Sequence, residues 1–540
     1  MTGAEWVAEL AHPSTPGAAS GKPRAWNRIN WKRAERNVER LQARIVKATQ
    51  EGRWGKVKAL QHLLTRSFSG KALAVRRVTT NRGKGTPGVD GEIWRTPDQK
   101  STAVHELRQR SYRPQPLRRV YISKSGNKNM RPLSIPVMKD RAMQALYLQA
   151  LNPIAETTGD KNSYGFRPRR SAADAIEKCF SLLARKKSAK WILEGDIAAC
   201  FDEISHEFLL RQIPMEKRVL RAWLKAGFMD ESLLHPTEAG TPQGGIASPV
   251  LANMALDGLQ RAPEECFPKG SNKRTAHRVH LVRYADDFIV TGDSKEILET
   301  VVRPLVEEFL RERGLRLSEE KTVITHVEEG FDFLGQTVRK YGGKLLIKPS
   351  KKSIHGFLQK VREIIKKFRT VAAGDLVRML NPIIRGWAQY HRHAVSSASF
   401  AFVDHEIWKA LWRWALRRHP NKSKHWIKAK YWPAQGSQRW VFAGQFKKAD
   451  GTKVELCLLR ASSIGIRRHA RIREDANPFN PSWKGYFATR SHGLRRTNPD
   501  QANRALNWPH GHQRILFSIT GPATRCETPS GVASRAVVEA

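Results

Sequence analysis

Two adjacent aspartates, Asp286 and Asp287, follow Tyr284 and Ala285 between two apolar runs, LVR and FIVTG. This pattern predicts an apolar β-hairpin that carries both carboxylates at its tight turn. Adjacent carboxylates repel, and each raises the pKa of the other unless divalent cations neutralise them. Mg²⁺ takes one or two protein carboxylates and completes its shell with water and substrate oxygens. The pair therefore indicates a Mg²⁺ site that is open to phosphates.

A third carboxylate, Asp196, ends the apolar segment WILEGDI upstream of the hairpin. We expect this segment to be a strand that pairs with the hairpin and brings the three carboxylates together. Three carboxylates around two cations suit phosphoryl transfer, in which one cation activates an attacking hydroxyl and the other stabilises the leaving pyrophosphate. Asp202 and Glu203 follow closely, and we expect them to be exposed charges at the N-terminus of the next helix.

A loop of small residues, GTPQGGIASP, lies between these two acidic segments. Gly244 and Gly245 leave room for a base pair to approach the backbone, and Gln243 can hydrogen-bond an incoming nucleotide. A glycine pair before a helix is a weak signal by itself. Its place between Asp196 and the Asp286 turn gives it weight.

Eight blocks in this order resemble a reverse transcriptase, and specifically the multifunctional proteins encoded by bacterial group II introns. They are TPGVDG (86–91), the segment 111–147, NSYGFRPRRSAADAI (162–176), GDIAACFD, GTPQGGIASP, YADD, GLRLSEEKT (314–322) and FDFLGQTV (331–338). The resemblance covers about residues 25–490. It implies an RNA-directed DNA polymerase that uses two Mg²⁺ ions and deoxynucleoside triphosphates, binds group II intron RNA to assist splicing, and extends a DNA primer or target during retrohoming.

The same resemblance assigns roles to individual residues. Asp196, Asp286 and Asp287 would be catalytic, and the Ile197 carbonyl would join them as a metal ligand. Phe201 would close the pocket beneath the sugar and reject a 2′-hydroxyl. The remaining nucleotide contacts would be Lys124 and Arg131 on the triphosphate, Gln243 and Gly244 in the pocket, and Lys321, which is either an acid for pyrophosphate departure or a solvated lysine.

The charge of the chain points independently to a polyanionic partner. There are 95 Lys and Arg residues against 50 Asp and Glu, a net charge of +45. The net charge is +20 over residues 21–130, +3 over 131–350 and +22 over 351–500. A near-neutral centre between two basic arms suggests an enzyme that grips nucleic acid on both sides. With neither a long apolar run nor an export signal, we expect no membrane partner and a location in the bacterial cytoplasm, associated with the nucleoid.

The predicted fold is an α/β right-hand polymerase, with fingers and palm on an antiparallel palm sheet, a helical thumb or maturase domain and a basic C-terminal region. The expected segments are a disordered lead (1–24), a basic helical extension (25–78), fingers and palm (79–345), a thumb or maturase domain (346–432), a DNA-binding-like region (433–490) and a poorly ordered tail (491–540). The basic extension is either a structural bundle or an RNA-contacting surface. The sequence carries no signal for an oligomeric state.

Tryptophans and arginines alternate in the predicted thumb. We interpret Trp387 and Trp408 as core residues. Unpaired arginine is rarely buried, so the arginines beside the aromatic residues are predicted RNA contacts: Arg385, Arg392, Arg413, Arg417 and Arg418.

Residues 433–490 resemble the DNA-binding region of the family, and residues 491–540 depart from its longer members. The segment IRRHARIREDANPFNPSWKGYF predicts a basic helix that contacts either DNA or RNA. The tail offers three histidines and a lone Cys526, and an HNH nuclease needs paired cysteines, so we expect no such nuclease. Two further functions stay open: a splicing-only maturase with a vestigial polymerase centre, and a related reverse transcriptase recruited to host defence or DNA repair.

Overall fold

The computed structural model describes residues 26–123, 130–231, 233–268, 277–434 and 440–495. The predicted lead, Lys124 and all residues after 495 lie outside this part of the chain. The described strands are β1 (Leu117–Ser123), β2 (Met130–Ile135), β3 (Trp191–Asp196), β4 (Phe228–Asp230), β5 (Leu233–His235), β6 (His280–Tyr284), β7 (Asp287–Gly292), β8 (Val323–His326), β9 (Phe331–Phe333), β10 (Gln336–Tyr341), β11 (Lys344–Pro349), β12 (Ala443–Lys447) and β13 (Lys453–Cys457).

The described helices alternate with these strands along the chain. They are α1 (Trp31–Gln50), α2 (Trp54–Arg66), α3 (Phe68–Thr80), α4 (Pro97–Glu106), α5 (Met138–Thr158), α6 (Ala172–Leu183), α7 (Cys200–Glu203), α8 (His206–Gln212), α9 (Lys217–Leu224), α10 (Ser248–Leu256), α11 (Arg261–Cys266), α12 (Lys295–Ile297), α13 (Arg303–Arg311), α14 (Lys351–Lys367), α15 (Ala373–His391), α16 (Ser397–Arg418), α17 (Lys424–Tyr431) and α18 (Lys484–Arg495). A π-helical turn, Leu298–Val302, joins α12 to α13.

Helices α1 to α3 pack around the long buried helix α5, and α4 packs on α3. Asn30 caps α1 by accepting the backbone N–H of Arg33, and Thr96 and Gln99 form a capping box at α4. Their apolar faces belong to the same core as the strands that follow. The N-terminal segment is therefore a structural bundle, and RNA contact by its basic outer face stays a prediction.

Two four-stranded sheets follow, which we call the outer and the central sheet. The outer sheet has the order β2-β1-β4-β5, and the central sheet has the order β6-β7-β3-β8 with every neighbouring pair antiparallel. Leu193 and Val290 on one face of the central sheet join the core of the N-terminal helices, while Ile192 and Ile289 on the other face join a second core. Burial on both faces explains why these strands read as continuous apolar runs.

A three-stranded sheet, β11-β10-β9, leads into the helical region α14 to α17. The sequence placed this boundary after residue 345, which lies inside β11, because the glycine pair Gly342-Gly343 is the hairpin turn between β10 and β11 and not the end of the sheet. The break comes at Ser350, whose hydroxyl caps α14. The helices have a core of their own. Trp387 is buried in it as expected, whereas Trp408 is only partly buried.

The C-terminal described segment returns to both earlier regions. The hairpin β12–β13 packs on α15, where Gly374 and Gly444 allow the two backbones to approach closely. The basic helix predicted within residues 466–487 begins only at Lys484, and residues 466–483 are mostly irregular. Buried Asp174 holds the stretch in place, because it accepts hydrogen bonds from the backbone N–H of Ile472 and from Arg490. In residues 466–483, the Ile472 backbone N–H bonds the Asp174 carboxylate where a helix would have a backbone hydrogen bond of its own.

Among the helices within the described ranges, none is both long and apolar enough to cross a membrane.

Candidate active site

The predicted acidic hairpin is confirmed by the pairing of its strands. Tyr284 at the end of β6 pairs with Asp287 at the start of β7, so Ala285 and Asp286 form the turn. Ala285 takes a left-handed backbone conformation with φ of 59°, which tightens the turn. Asp196 at the end of β3 lies directly opposite Asp287 across the sheet. The three carboxylates therefore meet at one edge of the central sheet.

Burial and neighbouring negative charge raise the pKa of the two carboxylates at the turn. Burial, together with the charges of Asp286 and Asp196, raises the pKa of Asp287 to about 7. Burial also raises the pKa of Asp286, with Asp196 adding to the rise and Arg131 and Lys321 opposing it. The cluster is thus deficient in positive charge, which is the condition that a bound cation would relieve.

Lys321 supplies one positive charge to this edge. Its Nζ lies 2.5 Å from Asp196 Oδ2, and this hydrogen bond raises the pKa of the lysine. The loop that carries it is fixed, because the backbone N–H of Ser318 donates to the Asp196 carbonyl at 2.8 Å. Lys321 is therefore a partner of the carboxylate cluster in this structure, and its role as an acid stays a prediction.

The donor set fits Mg²⁺ in an open site. Within the described residues, no group of three or more His, Cys, Asp or Glu side chains is arranged to hold a metal ion. Mg²⁺ does not need such a group, since it keeps several waters and takes substrate phosphate oxygens beside one or two carboxylates. Asp196, Asp286, Asp287 and the Ile197 carbonyl are the residues that would hold it.

The turn rests on a buried arginine that sequence reasoning missed. The Arg283 side chain is fully buried; one of its nitrogens, Nη2, donates to Asp257 Oδ1 at 2.8 Å, and the other, Nη1, donates to Asn253 Oδ1 at 3.1 Å and to the Ala285 carbonyl at 3.3 Å. Gly165 packs so closely that a Cβ would lie 2.4 Å from the Ala285 nitrogen. The sequence did contain a signal for this role, because Arg283 lies inside an apolar strand and a buried charge needs a buried partner.

The contacts of Arg283 support the acidic turn from beneath. Burial raises the pKa of Asp257, and the charge of Arg283 opposes that rise. Removal of one partner from a buried ion pair typically costs about 3–5 kcal/mol. Loss of either Arg283 or Asp257 would therefore destabilise the fold directly beneath the Ala285 carbonyl, one residue before Asp286.

The predicted nucleotide contacts surround the same edge, apart from Lys124. Phe201 is half-buried on α7, with its ring edge-on to Phe166 at 6.1 Å. Arg131 is exposed on β2. Gln243 accepts the backbone N–H of Ser134 through its carbonyl at 2.7 Å. At Gly244 a Cβ would lie 2.5 Å from the Ser134 carbonyl, so its small size admits β2, and the approach of a base pair to this loop stays a prediction.

Asp202 and Glu203 lie in the first turn of helix α7, as expected, and this four-residue helix has little more than that one turn. Asp202 reaches solvent as predicted, yet it accepts a hydrogen bond from Gln243 Nε2 at 2.7 Å. Glu203 pairs with Arg316 at 3.3 Å.

The five thumb arginines divide into two groups. Arg413 and Arg417 are exposed on α16. Arg385 and Arg392 are half-buried, and burial lowers the pKa of Arg392. Arg418 donates to the Val371 carbonyl at 2.7 Å, so it holds the α14–α15 connection. Contact with RNA is a prediction for all five, and Arg413 and Arg417 are the two whose side chains face solvent.

The repulsion among the carboxylates leads to a stability prediction. A raised aspartate pKa means that the folded state loses stability as pH rises from about 4 to 7. We expect Asp287→Asn to stabilise the metal-free protein by roughly 1 kcal/mol at pH 8, a value reduced because the side chain reaches solvent, and to make no difference at pH 4. Thermal unfolding in EDTA measures this. Glu265→Gln, an exposed acid on α11, is the control, and a less stable Asp287→Asn protein at pH 8 would contradict the prediction.

Comparison with known families agrees with this geometry. Residues 122–338 match "Reverse transcriptase (RNA-dependent DNA polymerase)", residues 26–107 match "N-terminal domain of reverse transcriptase", and residues 354–432 match "Group II intron, maturase-specific domain". The reverse transcriptase match supports a right-hand polymerase fold for the sheets described above.

Individual relatives point the same way. "Protein YkfC" of Escherichia coli (strain K12) is 35% identical over 310 residues, which is 50% of this chain and 80% of that protein. "Group II intron-encoded protein LtrA" of Lactococcus lactis subsp. cremoris is 31% identical over 328 residues, 49% of this chain and 54% of LtrA. The "Uncharacterized 91 kDa protein in cob intron" of Schizosaccharomyces pombe is 28% identical, over 55% of this chain and 46% of that protein. The match thus spans about half the length of LtrA. The chain belongs to the group II intron-encoded reverse transcriptase/maturase family.

Proposed function

We propose that the protein is an RNA-directed DNA polymerase encoded by a group II intron, which also binds the intron RNA to assist splicing and supports retrohoming by target-primed reverse transcription. The observation that carries this proposal is the meeting of Asp196, Asp286 and Asp287 at one sheet edge. A protein that only bound RNA would have no physical need to hold three repelling carboxylates together.

Each part of the chain has a place in this reaction. The central sheet acts as the palm, the outer sheet with Arg131 acts as the fingers that hold the triphosphate, and helices α14 to α17 act as the thumb. Two Mg²⁺ ions, when bound, would supply the charge that activates the primer hydroxyl and neutralises the leaving pyrophosphate. Lys321, which pairs with Asp196, would deliver a proton to that leaving group. Binding of a DNA primer or target and association with the bacterial nucleoid belong to the same proposal.

The test is extension of a DNA primer on an RNA template by the purified chain. We expect incorporation of all four deoxynucleotides, dependence on Mg²⁺ and loss of activity in EDTA. A protein that binds group II intron RNA and promotes splicing without extending any primer would be the splicing-only maturase. Extension with no cognate intron RNA that responds to the protein would favour the role in defence or repair.

Sugar selection gives a sharper prediction at Phe201. If its ring closes the pocket beneath C2′, Phe201→Ala should relax discrimination against ribonucleotides by roughly 10- to 100-fold while deoxynucleotide use persists. Competition between ribo- and deoxynucleotides on one template measures the ratio. Phe309→Ala removes another half-buried ring from the same core, on helix α13, and it should lower stability without a change in selectivity. A Phe201→Ala protein that is destabilised to the same degree and equally selective would make Phe201 a packing residue only.

A further inference from the structure

The loop that carries Gln243 has a fixed backbone. The N–H of Gly240 donates to the Ile204 carbonyl at 2.8 Å, and the N–H of Thr241 donates to the Phe201 carbonyl at 2.6 Å. On the other side, the Gln243 carbonyl accepts from Ser134 of β2 at 2.7 Å. The loop is therefore clamped between α7 and the outer sheet.

The side chain of Gln243 is oriented by a separate contact. Its Nε2 donates to Asp202 Oδ2 at 2.7 Å. A carboxylate can only accept hydrogen bonds, so it selects the NH₂ end of the carboxamide and turns the Oε1 end away from itself. A neutral Asn or Ser at this position could bond either end. The negative charge is thus the feature that specifies one orientation of the amide.

A carboxylate beside a triphosphate pocket would ordinarily repel the substrate. Burial raises the pKa of Asp202, and the charge of Glu203 adds to the rise. The Gln243 hydrogen bond and the charges of Arg119 and Arg131 on the outer sheet oppose it. Arg119 is itself held over the ring of Phe228 at 3.6 Å. These cations offset the charge of Asp202, so its orienting effect can be kept without strong repulsion.

Helix α7 also carries Phe201, directly before Asp202. The four-residue helix therefore joins the residue proposed to test the sugar and the residue that orients the pocket glutamine. We infer that Asp202 is a positioning residue for nucleotide binding, which acts by fixing the Gln243 carboxamide with its oxygen toward the incoming nucleotide. This inference rests on the proposed polymerase function and extends it to a residue outside the metal-binding cluster.

The test is steady-state incorporation of a single deoxynucleotide on an RNA template. Asp202→Asn keeps the shape but lets the amide turn, and we expect KM for the nucleotide to rise about 10-fold with kcat changed by no more than about twofold. Gln243→Ala should raise KM similarly, and Asp202→Asn should add nothing in the Gln243→Ala background, because one residue acts through the other. Glu203→Gln, which removes the same charge one residue away, is the matched control and should leave KM unchanged.

Each other outcome identifies what failed. Three results would overturn the positioning role while the polymerase function stands. They are an unchanged KM in an active Asp202→Asn protein, a lowered KM in that protein, and a double variant whose rise in KM is the product of the rises in the two single variants. A wild-type protein inactive on every template would overturn both. If Asp202→Asn does not fold, as judged by thermal unfolding, Gln243→Glu tests the same bond from the other side, since a glutamate cannot donate to Asp202. It should raise KM at least as much as Gln243→Ala.

Discussion

Asp286→Asn is expected to abolish primer extension on an RNA template, with a reduction in rate of roughly a thousandfold or more. The change keeps the shape of the side chain but removes a charged metal ligand, so the charge that develops on the primer oxygen and pyrophosphate goes uncompensated. Asp196→Asn should have a similar effect. The fold should survive either change, because the turn is held by the Arg283 contact to the Ala285 carbonyl and not by the carboxylates.

The control for this experiment lies at the opposite end of the same hairpin strand. Asp293 follows β7 at its far end and pairs with Arg278, so Asp293→Asn makes the same chemical change in the same sheet away from the cluster. RNA affinity should be unaffected in all three variants. An Asp286→Asn protein that extends a primer at near wild-type rate would remove the catalytic assignment.

The second large effect is expected on RNA binding. Arg413 and Arg417 are exposed one helical turn apart on α16, so their side chains project from one face. The double reversal Arg413→Glu, Arg417→Glu should weaken binding of the intron RNA by roughly 10- to 100-fold and abolish assisted splicing at low Mg²⁺, because two attractive interactions with phosphates become repulsive. The slope of log affinity against log salt should flatten by roughly 0.7 to 0.9 for each phosphate that the protein no longer neutralises.

Charge-matched controls separate direct phosphate binding from general repulsion. Lys295→Glu, Arg311→Glu makes the same change in net charge on helices α12 and α13, where both residues already pair with acids, and it should leave the salt slope unaltered. Splicing should also persist in the Asp286→Asn, Asp287→Asn double variant, since it needs binding and not polymerisation. A helix α16 variant that fails to promote splicing and keeps the wild-type slope would mean that these arginines support the fold.

Local patterns in the chain were enough to predict the catalytic edge. The apolar strands, the YADD turn and the pairing of the Asp196 strand with it follow from short-range alternation and from the cost of placing charges beside a buried sheet. Buried Trp387 followed from helical spacing in the same way. Each of these features depends on residues that are close together in the sequence, or on the fact that an apolar strand must be buried.

Other features depend on which segments meet in space. The contact of Arg283 with the catalytic turn needs Asp257 from the end of α10, and the orientation of Gln243 needs Asp202 from α7. The sequence around Arg283 or Gln243 does not indicate which distant residue each of them contacts. In the sequence, Arg418 does not differ from the other basic residues of its helix. Only its hydrogen bond to the Val371 carbonyl shows that it has a structural role.

The sequence by itself determined the family, the acidic edge and the basic arms, because composition and ordered motifs record chemistry directly. The tertiary structure decided which charges are available to a partner and which are used internally. It also replaced most of the predicted basic helix with an irregular segment anchored on Asp174, because buried hydrogen bonds from distant residues outweigh local helix propensity.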